Sequence, residues 1–168
     1  MKKILLILIL TAAVLPLFAA TQMSLELGVQ NTDLSLSYAG NSGNVKFNAK
    51  ADLNASFIFD QKNGFDIIFA PDLTGNSFVI GGSYLYQTRV GDSTKMIFTA
   101  GPRISVKSAS WALGADIMAS FRISLSQKIF LGVATGLEMY FAEFKNGKTT
   151  AYLDITVPLP KVTVGYLF

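Results

Sequence analysis

The charged residues that could do chemistry lie at alternate positions of long, otherwise apolar segments. Arg103, Asp116, Arg122 and Glu138 fall on three successive segments, always in the phase opposite to the apolar side chains. Carboxylates beside guanidinium groups could form ion pairs, line a polar path or act as acid and base. If they point into a narrow interior they must pair, because an unpaired buried charge is too costly. We therefore predict an internal ion-pair network centred on these four residues.

The same polar phase continues along the chain and holds equal numbers of acids and bases. Its acids and bases are Glu26, Asp52, Asp66, Asp116, Glu138, Asp154, Lys46, Lys50, Arg89, Arg103, Arg122 and Lys161. The structural interpretation is a set of internal ion pairs. The functional alternative is a polar path for an ion or a small solute.

The residue types exclude most enzyme chemistry. The sequence has no His and no Cys, which removes Ser/His triads, Cys/His dyads and most zinc sites. It also has no glycine-rich phosphate loop and no carboxylate-dense calcium loop. Carboxylate chemistry through Asp116 and Glu138 is the one enzymatic alternative. We expect a non-enzymatic protein without catalytic, cofactor-binding or metal-binding residues.

The first twenty residues have the pattern of a secretory signal peptide. Lys2 and Lys3 precede the apolar run 4–10, and small residues follow up to Ala20. Thr11 and Pro16 interrupt the run, which argues against a retained membrane anchor. We predict a signal peptide at 1–20 and a single domain at 21–168.

The mature chain is close to neutral. Without Lys2 and Lys3 it carries 12 basic and 11 acidic residues, so nothing in its charge favours a nucleic-acid partner. The absence of Cys also excludes a lipoprotein anchor and a disulfide-stapled fold.

From residue 23 onward the sequence alternates with a period of two, and short polar clusters separate the segments. The segment from Val45 to Phe59 holds one phase, which is long for a globular strand and suits a tilted membrane strand. Strands in a membrane must close into a barrel, because unpaired edges cannot remain in hydrocarbon. The pattern predicts an all-β, closed, antiparallel up-and-down transmembrane barrel whose apolar side chains face lipid.

Two strand counts fit the pattern. Residues 23–38 and 150–168 give eight strands if each is one bulged strand, and ten if each is a hairpin; we favour eight. Both termini then lie on the periplasmic side. The predicted external loops are 40–44, 74–77, 107–110 and 144–149, and the predicted periplasmic turns are 60–64, 91–95 and 126–128.

The chain ends on an alternating strand with an aromatic last residue. Val162, Val164, Tyr166 and Phe168 share one face of it. This ending resembles the terminal signature of bacterial outer-membrane β-barrels, in which a final Phe with Tyr two residues earlier closes the barrel and is read by the assembly machinery. The resemblance implies that these four residues are an assembly signal.

The mature chain as a whole resembles the small OmpX/OmpW-like outer-membrane proteins, also called porin-like β-barrel domains. The resemblance implies a monomer in the outer membrane, with membrane lipid and the barrel assembly machinery as partners. Outer-membrane enzymes of this architecture depend on a histidine that this chain lacks. We predict a structural or surface-interaction role, with a narrow channel and a soluble periplasmic lipocalin-like binder as alternatives.

Overall fold

The computed structural model describes residues 22–30, 33–37, 42–46, 50–73, 75–158 and 160–168, so the predicted signal peptide lies outside the described residues. This part of the chain forms strands with the following bounds: β1 (Gln22–Gln30), β2 (Asp33–Ser37), β3 (Ser42–Lys46), β4 (Lys50–Asp60), β5 (Asn63–Pro71), β6 (Ser77–Arg89), β7 (Thr94–Lys107), β8 (Ser110–Ser124), β9 (Ile129–Lys145), β10 (Lys148–Pro158) and β11 (Lys161–Leu167).

Eight of these strands form a closed antiparallel ring. The order is β1-β4-β5-β6-β7-β8-β9-β11, and the ring closes because β11 pairs with both β9 and β1. Val164 of β11, for example, lies opposite Leu27 of β1 and Leu131 of β9. The predicted up-and-down barrel is confirmed.

The remaining strands, β2, β3 and β10, extend the wall of the ring towards the loop end. β9 is 17 residues long; its first half pairs with β11 and its second half with β10. β2 pairs with β10 on one side and β3 on the other. Ten strands would require β10 to pair with β11 as a hairpin, and β1 to pair with β2. Neither pairing occurs among the described strands: β2 continues the place of β1 in the ring, and β11 continues the place of β10. The favoured count of eight is confirmed.

The connections lie alternately at the two ends of the barrel. The turn end carries 61–62, 90–93 and 125–128 together with Gln22 and Phe168, and the loop end carries 72–76, 108–109 and 146–147. The predicted loop 40–44 is wrong in part, because Ser42 and the two residues after it belong to β3, while 40–41 lie outside the described residues. Most connections are shorter than predicted, since backbone pairing continues past the last alternating apolar side chain.

Apolar side chains cover the outside of the ring. Leu27, Val133 and Val162 are about half exposed, and similar residues on the other ring strands complete the belt. Aromatic pairs lie near its limits, with Trp111 stacked on Phe144 at the loop end and Tyr166 edge-on to Phe168 at the turn end. A continuous apolar exterior flanked by aromatic residues is the surface that a bilayer requires.

No helix in the described ranges is long and apolar enough to cross a membrane.

Gly165 of β11 leaves space for the inward-pointing ring of Phe130 against the barrel wall. The ring of Phe130 lies over Gly165, its direct partner on β11, and the guanidinium of Arg122 lies 4.9 Å from the centre of the same ring. A Cβ atom at Gly165 would overlap Phe130. The closing strand therefore fits only with a glycine at this position.

We expect Gly165→Ala to destabilise the folded barrel by about 1–3 kcal/mol, because Phe130 must leave its position or the strands must separate. Urea unfolding in detergent, followed by the change in gel migration between folded and unfolded forms, measures this. Gly91→Ala is the matched control, since a Cβ there would meet nothing within 4 Å. Equal stability of the two variants would contradict the prediction.

Candidate functional site in the barrel lumen

All four predicted network residues point into the lumen. Arg103, Asp116 and Glu138 are 3%, 1% and 8% exposed, and the side chain of Arg122 is 11% exposed. They come from β7, β8 and β9, whose inward positions are polar or small because the outward positions carry the belt.

Arg103 and Asp116 form the central ion pair. Arg103 Nη2 lies 2.7 Å from Asp116 Oδ2, and Ser83 Oγ donates to Asp116 Oδ1 at 3.2 Å. Three neighbouring strands, β6, β7 and β8, are thus joined through one carboxylate. Both charges are almost fully buried, so each depends on the other for compensation.

Glu138 extends this pair towards the loop end. It lies opposite Asp116 in the register of β8 and β9 and interacts electrostatically with Arg103. The guanidinium of Arg103 therefore pairs with Asp116 and attracts Glu138 at longer range. The structure brings Arg103, Asp116 and Glu138 together.

Arg122 belongs to a different group, nearer the turn end. Its guanidinium forms an ion pair with Glu26 of β1 and donates to Ser56 Oγ of β4 at 3.2 Å. Ser56 donates to Asp66 at 2.7 Å, and Thr163 of the closing strand donates to Glu26 at 3.1 Å. The network predicted as one cluster is divided in two because the ring places β1 and β4 across the lumen from β8.

A third ion pair joins β4 to the closing strand β11. Lys161 Nζ lies 2.5 Å from Asp52 Oδ2, and both side chains are buried. The sequence placed these residues in the polar phase, but it did not indicate them as a pair. The predicted centre of the network did not include Glu26, Asp52 or Lys161. Their position in the polar phase of the strands was the signal that could have identified them.

The buried charges do not balance one to one. The buried acids are Glu26, Asp52, Asp66, Asp116 and Glu138. Three of them, Glu26, Asp52 and Asp116, form ion pairs with Arg122, Lys161 and Arg103. The sequence analysis placed six acids and six bases in the polar phase. Lys46 is outside the described side chains, and Arg89 is exposed at the turn end. The serine and threonine donors supply part of the compensation.

Apolar side chains fill the lumen between the charged groups and the turn end. Ile58, Leu85 and Ile97 form a buried cluster with 3%, 0% and 1% exposure, and Phe130 is 2% exposed. A cavity of about 680 Å³ opens at the turn end and one of about 170 Å³ at the loop end. The filled middle of the lumen separates the two cavities.

The four C-terminal signature residues lie on the outer face of the closing strand. Val162, Val164, Tyr166 and Phe168 are all exposed. Phe168 N donates to Met23 O at 2.9 Å, and Leu167 N donates to Lys128 O at 2.7 Å. The last residues therefore attach to the first strand and to the preceding turn.

The described residues contain no group of three or more His, Cys, Asp or Glu residues that could hold a metal ion.

The fold is similar to that of several solved bacterial structures. Neisserial surface protein A from Neisseria aligns with a TM-score of 0.59 at 10% identity, over 86% of this chain and 95% of that one. Outer membrane protein OprG from Pseudomonas aeruginosa aligns with a TM-score of 0.52 at 13% identity, over 89% and 97%. The attachment invasion locus protein Ail from Yersinia pestis aligns with a TM-score of 0.51 at 12% identity, over 88% and 98%.

No protein-family model and no curated protein sequence matches the chain. The structural likeness nevertheless shows the class of fold, which is that of the small bacterial outer-membrane β-barrels. Together with the exposed apolar belt, this fold supports the predicted location in an outer membrane.

Proposed function

We propose that the protein is a non-enzymatic, monomeric, integral outer-membrane β-barrel with an envelope-structural or surface-interaction role. The observation that carries this proposal is the filled lumen. The charges at its middle are almost fully buried, with Arg103 paired to Asp116, and the apolar cluster of Ile58, Leu85 and Ile97 lies between them and the turn end. A barrel with a filled interior acts through its outer surface and its ends.

The loop end offers the surface for such interactions. Trp111 and Phe144 stack with their ring centres 3.8 Å apart beside a groove that also carries Lys107 and Lys148. One solved structure of Ail contains the heparin analogue sucrose octasulfate. A surface-interaction role of the loop end is consistent with both observations.

The transport alternative is a narrow channel through the lumen. The cavities at the two ends favour it, but the buried apolar cluster between them opposes it. We expect refolded protein to give no reproducible single-channel steps in planar bilayers. Steps that change with Arg103→Gln or Glu138→Gln, and not with Lys128→Gln on the outer surface, would establish a channel and contradict the structural role.

The lipocalin-like alternative requires an apolar cavity inside and a polar surface outside. The described barrel differs in both respects: its outside is apolar, and its inside holds buried charges beside a packed apolar cluster. Fractionation tests the membrane role directly. The mature protein is expected in the membrane fraction, and recovery from the soluble periplasm without detergent would contradict it.

A further inference from the structure

The cavity at the turn end, which we call the turn-end vestibule, contains three cations. Lys62, Arg89 and Lys95 line it, together with the amide side chains of Gln22 and Gln87. No acidic residue lines it among the residues that the structure describes. The cavity is also much larger than a water site, at about 680 Å³.

Two of the cations lie directly opposite each other. Arg89 ends β6 and Lys95 begins β7, and the register pairs them across the strands. Like charges at such positions repel and destabilise a sheet. Neither residue has an ion-pair partner within 4.0 Å in the described ranges. The vestibule therefore concentrates positive charge that the described chain does not neutralise.

None of the described acids near the vestibule forms an ion pair with its cations. Asp60 accepts hydrogen bonds from the backbone N–H and the side-chain amide of Asn63 at 2.7 and 2.8 Å. The side-chain bond, and to a smaller extent the backbone bond, lower the pKa of Asp60. Asp92 lines an adjoining cavity that shares Arg89 and Lys95 with the vestibule, but it forms no ion pair with either of them within 4.0 Å among the described residues. Glu26, deeper in the lumen, is paired with Arg122.

We propose that the turn-end vestibule binds a phosphate group between Lys62, Arg89 and Lys95. A multiply charged oxyanion removes the repulsion between Arg89 and Lys95, and the arginine fork matches phosphate oxygens in two-point contacts. The amide nitrogen of Gln22 provides a further donor for the body of a larger phosphate compound, whereas Gln87 Nε2 already donates to Gln61 O at 2.7 Å. The ligand is a soluble phosphate compound or the phosphate headgroup of a membrane lipid.

Pyrophosphate, titrated calorimetrically into protein refolded in a non-ionic detergent, tests the site. Saturable binding is expected beyond that of sodium chloride at equal ionic strength. Arg89→Gln and Lys95→Gln should each weaken binding about tenfold, because each removes a charge-assisted hydrogen bond. Arg89→Lys, which keeps the charge, should lose less. Lys128→Gln is the matched control, since Lys128 lies at the same end but over the outer ring of Tyr166.

Stability without the anion separates a binding role from a merely structural one. Arg89→Gln should leave the urea midpoint unchanged or raise it, because a repelling pair is removed, and it should abolish the stabilisation by pyrophosphate. No saturable binding, an equal loss in Lys128→Gln, or a lower midpoint without anion would overturn the proposal.

Amine labelling of Lys95 distinguishes the two sources of phosphate. Protection by pyrophosphate alone points to a soluble ligand. Protection by phosphatidic acid in phosphatidylcholine vesicles, absent from vesicles without phosphatidic acid, points to a lipid headgroup. Protection by neither contradicts the site.

Discussion

Arg103→Leu is expected to destabilise the folded barrel by about 3–5 kcal/mol, because it leaves Asp116 buried without its cation. Asp116 is 1% exposed and has Arg103 Nη2 at 2.7 Å. Its remaining hydrogen-bond donor is Ser83 Oγ at 3.2 Å, which carries no charge. Glu138, opposite Asp116 on β9, also loses the electrostatic attraction of this guanidinium. Urea unfolding of refolded protein, followed by gel migration, measures the loss.

The double variant Arg103→Leu/Asp116→Leu separates the loss of an attractive pair from the burial of a single charge. It should recover much of the stability, since apolar replacements of a buried ion pair are often neutral or stabilising. Lys128→Gln is the control for removing a cation from the outer surface. If Arg103→Leu unfolds at the wild-type urea concentration, the buried pair does not hold the lumen together as described.

Phe168→Asp is expected to reduce the assembled barrel in cells to a small fraction of the wild-type amount, while export across the inner membrane continues. Phe168 extends the pairing of the closing strand with β1 by donating its backbone N–H to Met23 O at 2.9 Å, and its ring contacts Tyr166 edge-on. The predicted assembly signal consists of the outward side chains of Val162, Val164, Tyr166 and Phe168. The fraction of protein that shows heat-modifiable migration in membranes measures assembly.

Refolding into detergent distinguishes an assembly signal from ordinary stability. A charge near the edge of the belt costs only about 0–1 kcal/mol, so purified Phe168→Asp should refold nearly as wild type. Leu125→Asp is the matched control, because Leu125 is an exposed apolar residue at the same end of the barrel. Normal assembly of Phe168→Asp in cells, or an equal defect in Leu125→Asp, would remove the special role of the terminus.

The faces of the strands could be predicted from the sequence because they depend on a local rule. Side chains alternate across a strand whatever its neighbours are, so Arg103 and Asp116 could be assigned to the lumen before the ring was known. The phase change near Pro158 could not be resolved in the same way. The structure shows that β10 and β11 both pair with β9, which keeps their apolar residues on the outer face across the irregularity.

The partners of the lumen charges could not be predicted, because they depend on the stagger and closure of the ring. Arg122 contacts Glu26 only because β8 and β1 face each other across the interior. Lys161 and Asp52 are 109 residues apart in the chain. Alternation assigns each of these residues to a face, but it contains no information about distances across a barrel.

The contacts of β11 also bear on the order of folding. Lys161 and Thr163, near the end of the chain, provide the donors for Asp52 and Glu26 near its beginning. Until the last strand arrives, those acids lack these partners and retain water. We therefore expect ring closure and drying of the interior to occur together, and a barrel lacking its last strand to stay open and hydrated.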